Sequence, residues 1–166
     1  VIFFSDKIEK FIPAKKGKTH VLHIIRELLS FEPQSTGTDI AQALQYFANA
    51  QKRHCTAFLI SDFIDAGNMY QPLMIASNRH EVNAIQIYDR REAELPNVGL
   101  IKFHDAETGK DIWIDTAITS VRNNYAQAWR DNQDTIQQLF TRTGVDHVSI
   151  RTDEDYVKAL MHLFRC

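Results

Sequence analysis

The chain has 166 residues, 44% of them hydrophobic and 24% charged, so it is long enough to bury one substantial core. We therefore expect one domain over residues 1–166. Its formal net charge of −2 gives no long-range reason to expect nucleic acid or acidic membranes as partners. Its apolar runs stay far below the roughly 18 residues that a membrane span needs. Its two cysteines match no zinc or redox spacing and fit a reducing, cytoplasmic setting.

Hydrophobic periodicity divides the chain into alternating strands and helices. Strands are predicted at residues 1–4, 8–12, 57–62, 82–88, 100–104, 111–115 and 145–150. Helices are predicted at residues 19–30, 39–50, 67–79 and 118–142, with a polar loop at 89–96. A last helix, ending near Phe164, is opened by a capping box of Thr152 and Asp155. The pattern predicts a three-layer α/β fold: a mainly parallel sheet flanked by helices, with antiparallel hairpins at an edge.

The strand at 57–62 carries the first candidate site residue. Its run of four apolar residues predicts a strand buried on both faces, and it ends in Asp62. Carboxylates at this edge of a parallel sheet are placed where such sheets bind ligands. Upstream, Thr38 precedes a helix and offers a hydroxyl to the same region. Local roles stay open for both residues, since Thr38 can cap its helix, with Asp39 complementing the helix dipole, and Asp62 can bond the loop that follows it.

No sequence pattern indicates catalysis or nucleotide binding. The Gly-Lys-Thr sequence at 17–19 resembles the end of a phosphate-binding loop, but Ile12 stands where that motif needs a glycine. His54 and Cys55 are adjacent, so on an extended chain they point to opposite faces and do not pair as base and nucleophile. We expect no catalytic residues.

The candidate residues resemble parts of a known site. A Gly-Thr pair before an amphipathic helix, then an apolar strand ending in Ser-Asp, is similar to the second and third parts of the metal-ion-dependent adhesion site of von Willebrand factor A domains. Sequence blocks in order along the chain resemble the bacterial family called domain of unknown function fifty-eight, whose members have a von Willebrand factor A-like, Rossmann-type domain. The blocks are Phe-Phe-Ser-Asp at 3–6, Phe-Glu-Pro at 31–33, Gly-Thr-Asp at 37–39, Leu-Ile-Ser-Asp-Phe at 59–63, Tyr-Asp-x-Arg-Glu-x-Glu-Leu-Pro at 88–96 and Thr-Asp-Glu-Asp-Tyr at 152–156.

This resemblance implies a site for Mg²⁺ or another divalent cation. Its second part matches Thr38 and its third matches Asp62, with Ser61 and Asp65 as assisting residues. The first part, an Asp-x-Ser-x-Ser strand and its helix, does not occur in this sequence. We expect it upstream of Val1 in a longer protein, of which this chain is an N-terminally truncated part. Because Mg²⁺ takes about six oxygen ligands, we expect the longer protein to bind the cation and this chain to bind none.

The resemblance further implies a non-enzymatic protein-interaction module. Genes of this family commonly lie beside those of MoxR-type AAA+ ATPases, so the expected partner is such an ATPase or its client, in the assembly or activation of protein complexes. Two alternatives stay open. One is a metal-assisted hydrolase, for which Asp65 is the only nearby candidate base. The other is a metal-free structural scaffold. We expect a cytoplasmic location, with membrane anchoring upstream of the chain left open.

Overall fold

The structure, a computed structural model, describes residues 1–64, 67–104 and 109–164. These residues form two compact units. Unit 1 comprises Val1–Arg53 and residues 67–76, and unit 2 comprises His54–Ile64 and residues 77–164. One domain over residues 1–166 stays a prediction.

Unit 1 contains an antiparallel hairpin and helices. Strand β1 (Ile2–Phe4) pairs with β2 (Ile8–Phe11), as the sequence predicts. The helices are α1 (Lys18–Ser30), α2 (Ile40–Ala50) and α3 (Tyr70–Ser77), whose last residue belongs to unit 2. The apolar face of α2 is buried, whereas α1 has no buried residue.

Unit 2 is built on a parallel sheet of β3 (Thr56–Ser61), β4 (Glu81–Tyr88) and β7 (Asp146–Arg151), in that order across the sheet. Helix α5 (Thr119–Thr143) packs on one face, where the ring of Phe140 lies 5.1 Å from that of His147. Helix α6 (Tyr156–Leu163) packs on the other face, with Leu163 against Ile85 and Ile150. A parallel sheet flanked by helices confirms the predicted α/β fold.

A short helix and a second hairpin connect β4 to α5. Helix α4 (Arg90–Ala93) is a single turn inside the predicted loop. Strands β5 (Leu100–His104) and β6 (Asp111–Asp115) form the predicted hairpin as a two-stranded sheet of their own. Helix α5 ends at the C-cap Gly144, whose left-handed φ of 65° favours glycine. Within the described ranges, no helix combines the length and the apolar character needed to cross a membrane.

Strand β3 is not buried on both faces, and that prediction is wrong. Leu59 is buried, whereas Phe58 and Ile60, which alternate with it, are 43% and 54% exposed. Among the described residues β3 pairs with β4 alone, and the apolar cluster beneath α6 is formed by residues of β4 and β7. One face of β3 therefore stays largely uncovered.

The capping box predicted for the last helix is also wrong. Asp155 is the N-cap of α6, and its carboxylate accepts a hydrogen bond from the backbone N–H of Val157 at 3.0 Å. The Thr152 hydroxyl instead donates to Oδ2 of Asp89 at 3.3 Å. Thr152 therefore links the end of β7 to the end of β4, and α6 begins at Tyr156.

Candidate functional site

Asp62 directly follows β3, at the C-terminal edge of the parallel sheet, and its side chain is exposed. Its Oδ1 accepts hydrogen bonds from the backbone N–H of Ile64 at 3.1 Å and from the Ser61 hydroxyl at 3.4 Å. Its Oδ2 has no hydrogen-bond partner among the residues that the structure describes. The local role of Asp62 thus occupies one carboxylate oxygen and leaves the other available. The predicted assisting residue Asp65 lies outside the described residues.

A buried polar network holds the backbone at Asp62. Gln86 of β4 is 3% exposed, and its Nε2 donates to the Asp62 carbonyl at 2.9 Å. Its Oε1 accepts from the Ser149 hydroxyl of β7 at 2.8 Å. Because buried polar groups are stable only when they are hydrogen-bonded, this amide fixes the residue after β3 relative to β4, which pairs with β3, and to β7, which pairs with β4. The sequence signal for it is the pair of amide residues, Asn83 and Gln86, among the apolar residues of β4, which sequence reasoning missed.

Phe63 turns the chain after Asp62 in a conformation that is uncommon for residues other than glycine. Its φ is 57°, in the left-handed region, which costs about 1–2 kcal/mol. Its side chain is fully buried and packs edge-on against Phe140, with ring centroids 5.3 Å apart. Asn132 also donates to its carbonyl, at 3.5 Å. Packing therefore maintains a strained residue beside an exposed carboxylate, an arrangement that clusters at functional sites.

Two more carboxylates lie at the same sheet edge, in the loop after β4. Asp89 caps α4 by accepting from the N–H of Arg91 at 2.8 Å, and Glu92 accepts from the N–H of Asp89 at 3.2 Å. The other oxygen of Glu92, Oε2, is buried without a hydrogen-bond partner in the described part of the chain. Burial raises the pKa of Glu92; the hydrogen bond from Asp89 lowers it, and the charges of Asp62 and Asp89 raise it further. The Asp-x-x-Glu spacing at 89–92 is the overlooked sequence signal.

The raised pKa of Glu92 predicts a pH-dependent gain in stability for Glu92→Gln. Above the ordinary pKa of 4.5 the folded state retains a proton that the unfolded state has released, so this stabilisation is lost as pH rises through the folded pKa. Glutamine keeps the acceptor for Asp89 and cannot ionise. The free energy of unfolding of the variant, relative to the parent chain, should therefore be higher at neutral pH than at about pH 4, as measured by urea unfolding. Glu94→Gln, at an exposed carboxylate on the same segment, serves as the control.

In unit 1, the predicted N-cap role of Thr38 belongs to Asp39 instead. Oδ1 of Asp39 accepts from the backbone N–H of Gln42 at 2.8 Å. Thr38 is exposed, and its hydroxyl has no hydrogen-bond partner within residues 1–64, 67–104 and 109–164. Both residues are good cap formers, so the sequence alone does not choose between them. The Thr38 hydroxyl is left available for another ligand.

The loop that carries Thr38 is fixed to the β1–β2 hairpin. The backbone N–H of Asp39 donates to the Ser5 carbonyl at 2.8 Å. Ser5 is buried, and its hydroxyl donates to Glu9 at 2.8 Å. At Gly37 an added Cβ would meet the Cβ of Asp6 at 3.3 Å, so the loop passes close to the turn of the hairpin. Thr38 therefore has a defined place within unit 1.

Single substitutions at Asp39 and Thr38 test which of the two residues caps α2. Asp39→Ala should lower the free energy of unfolding by about 1 kcal/mol, because the first turn of α2 loses its cap. Thr38→Val should change it by less than about 0.5 kcal/mol, since its hydroxyl has no partner to lose. Urea unfolding of both variants measures this difference. Equal destabilisation by the two substitutions would contradict the assignment of the cap.

The donors at Thr38 and Asp62 fit a hard cation in kind but are too few to hold one. A hydroxyl and a carboxylate oxygen are the ligand types that Mg²⁺ prefers, but it takes about six of them. Among the described residues there is no group of three or more His, Cys, Asp or Glu side chains placed to hold a metal. Thr38 belongs to unit 1 and Asp62 to unit 2.

Cys55 lies just before β3, at the N-terminal ends of the parallel strands and thus at the end of the sheet opposite Asp62. Its Sγ is 3.7 Å from Nδ1 of His80 on the segment that leads into β4. Burial raises the pKa of the Cys55 thiol, which lowers its thiolate fraction at neutral pH. A raised thiol pKa is opposite to what an activated nucleophile needs.

The fold and the strand-end residues define a class: α/β proteins with polar side chains at the C-terminal edge of a parallel sheet. Residues 1–135 match the family described as "Protein of unknown function DUF58". The chain belongs to this family.

The chain is also similar to individual bacterial proteins. The chain is 31% identical over 150 residues to the uncharacterized protein Rv1480 of Mycobacterium tuberculosis, covering 88% of this chain and 46% of that protein. It is 28% identical over 158 residues to the uncharacterized protein MAV169 of Mycobacterium avium, covering 93% of this chain and 92% of that protein. The chain thus spans about half the length of the first relative. The crystal structure of the conserved hypothetical protein BatB from Bacteroides thetaiotaomicron has a TM-score of 0.48 and 14% identity, covering 86% of this chain and 65% of that one.

Proposed function

We propose that this chain is part of a non-enzymatic protein-interaction module in which Asp62 and Thr38 are ligands of Mg²⁺ or a similar cation. The observation that carries the proposal is the position of Asp62, an exposed residue that Gln86 and Phe63 hold at the sheet edge and whose Oδ2 has no hydrogen-bond partner among the described residues. The Thr38 hydroxyl, which has no partner among the residues that the structure describes, supports it, because Asp39 already caps α2. A divalent cation bound there would supply a positive charge that a carboxylate of a protein partner can coordinate.

We propose that the remaining ligands come from an Asp-x-Ser-x-Ser strand and its helix in a longer protein. An unpaired strand edge and an exposed apolar surface in the described part of unit 2 support this. One edge of β3 has no strand beside it in the described residues, and an exposed apolar surface adjoins that edge. Phe58 and Ile60 of β3 lie on it, and the ring of Phe58 is 5.7 Å from that of Phe164. Val157 and Met161 continue it along α6. A strand beside β3 would pair its free backbone groups, and an amphipathic helix would cover the apolar surface.

We propose a MoxR-type AAA+ ATPase or its client as the protein partner, acting in the assembly or activation of complexes in the cytoplasm. The support is the resemblance of the sequence blocks, above all those at 37–39, 59–63 and 88–96. Each of these blocks now has a structural role at a helix or strand end.

Binding of the longer protein to the MoxR-type AAA+ ATPase of the same organism tests this function. Biolayer interferometry in Mg²⁺ and in EDTA should show binding that requires the cation. Asp62→Asn and Thr38→Val should each weaken it by about tenfold or more, because the number and charge of its oxygen ligands set the affinity for a hard cation. Asp146→Asn, at an exposed carboxylate near the opposite edge of the sheet, should leave it unchanged. Cation-independent binding would contradict the proposal, as would phosphoester or nucleotide hydrolysis that requires Asp62.

A further inference from the structure

Helix α1 presents an apolar face to solvent. Five aliphatic side chains on this face are 48–83% exposed, and we call them the α1 stripe: Val21, Leu22, Ile25, Leu28 and Leu29. On the opposite face His20, Ile24 and Glu27 are half-buried, and Glu27 forms an ion pair with Lys10 of β2. The helix is therefore held by its mainly polar face, whereas a surface helix usually turns its apolar face inward.

Basic side chains flank the α1 stripe. Lys15, Lys16 and Lys18 come just before the helix and at its first residue, and Arg26 lies beside the stripe. All four are exposed, and none forms an ion pair within the part of the chain that the structure describes. Residues 10–32 hold five basic and two acidic residues, a formal charge of +3, so the remainder of a chain with net charge −2 carries −5. The small net charge conceals a basic surface.

We propose that the α1 stripe and its flanking lysines dock on the surface of an anionic membrane, with α1 lying in the headgroup region. Aliphatic side chains would enter the boundary of the acyl chains, and the exposed lysines would meet anionic headgroups. The composition favours lipid over a protein surface. Protein interfaces are enriched in aromatic residues, Met and Arg and are depleted in Lys, whereas the stripe holds only Val, Leu and Ile and is flanked mainly by Lys.

Flotation of this chain with lipid vesicles tests the proposal. The protein should float with vesicles of phosphatidylcholine mixed with phosphatidylglycerol, and not with pure phosphatidylcholine. Binding should weaken with rising salt, because exposed charges are screened. All samples contain EDTA, which removes any cation bridge between protein and lipid. The result is therefore independent of the proposed metal site.

Two sets of variants locate the binding surface. Replacing Lys15, Lys16 and Lys18 by Gln should weaken partitioning about a hundredfold, since each lysine near an anionic surface contributes about fivefold. Ile25→Asn with Leu29→Asn should abolish flotation while the circular dichroism spectrum is retained. The matched controls are Lys52→Gln with Lys158→Gln, and Leu100→Asn with Ile112→Asn, which change exposed lysines and exposed apolar residues elsewhere.

Three outcomes would overturn the proposal. One is a folded chain that stays with the soluble fraction in the presence of anionic vesicles. Another is flotation that the control variants reduce as much as the α1 variants do. The third is a dimer in light scattering that the α1 variants dissociate, without vesicle binding by the parent chain, since the stripe would then be an interface between protein copies.

Discussion

Phe63→Ala should lower the free energy of unfolding by about 3–5 kcal/mol, whereas Phe63→Gly should lower it by about 1 kcal/mol less. Both substitutions remove the buried ring that packs against Phe140. Only glycine also relieves the left-handed backbone, whose φ is 57°. Urea unfolding of both variants gives the difference directly, and it is opposite in sign to the usual order of alanine and glycine.

Phe140 supplies the matched control for this comparison. It is 1% exposed and lies within α5, where the backbone is helical. Phe140→Ala should cost a similar amount, but there Phe140→Gly should be about 1 kcal/mol worse than alanine, since glycine disfavours helix interiors. If glycine is worse than alanine at both positions, the strain assigned to Phe63 is absent.

Local patterns along the chain predicted most of the fold. The hairpin of β5 and β6 has the predicted bounds, and α5 differs from its prediction by one residue at each end. These elements depend on periodicity and turn residues close in sequence, which a single chain reveals. The burial of β3 depends instead on which strands and helices lie beside it. From its apolar sequence, the face of β3 that carries Phe58 was predicted to be buried. Among the described residues, nothing buries that face.

The sequence predicted the exposed candidate ligands of the site, but it did not predict the residues that hold them in place. Asp62 and Thr38 follow from residue type and position at element ends. Gln86 holds the Asp62 carbonyl only because the parallel register places it opposite Ser61, and no local pattern reveals that pairing. Glu92 likewise gains its raised pKa from burial and from Asp62, which is distant in sequence. The choice of Asp39 over Thr38 as cap was open because both suit the position.

Asp62 should be indispensable for Mg²⁺ binding, and this effect is the largest that the site predicts. Its carboxylate would be the only charged ligand among the two proposed donors, Thr38 and Asp62, so Asp62→Ala in the longer protein should abolish binding. Thr38→Val should weaken it, because a neutral hydroxyl is lost. Asp146→Asn, outside the site, should leave it unchanged. These variants also separate loss of a ligand from loss of fold, because Asp62 is exposed and its replacement opens no cavity.

Calorimetric titration of Mg²⁺ into this chain and into the longer protein measures whether Asp62 is a ligand of a cation site that this chain completes only in part. We expect binding by the longer protein that Asp62→Ala abolishes, and no binding at millimolar Mg²⁺ by this chain, because Thr38 and Asp62 supply too few of the roughly six oxygen ligands that Mg²⁺ takes. Millimolar or tighter binding by this chain, lost on Asp62→Ala, would contradict the claim that ligands are missing. Binding by the longer protein that is unaffected by Asp62→Ala would show that Asp62 is not a ligand.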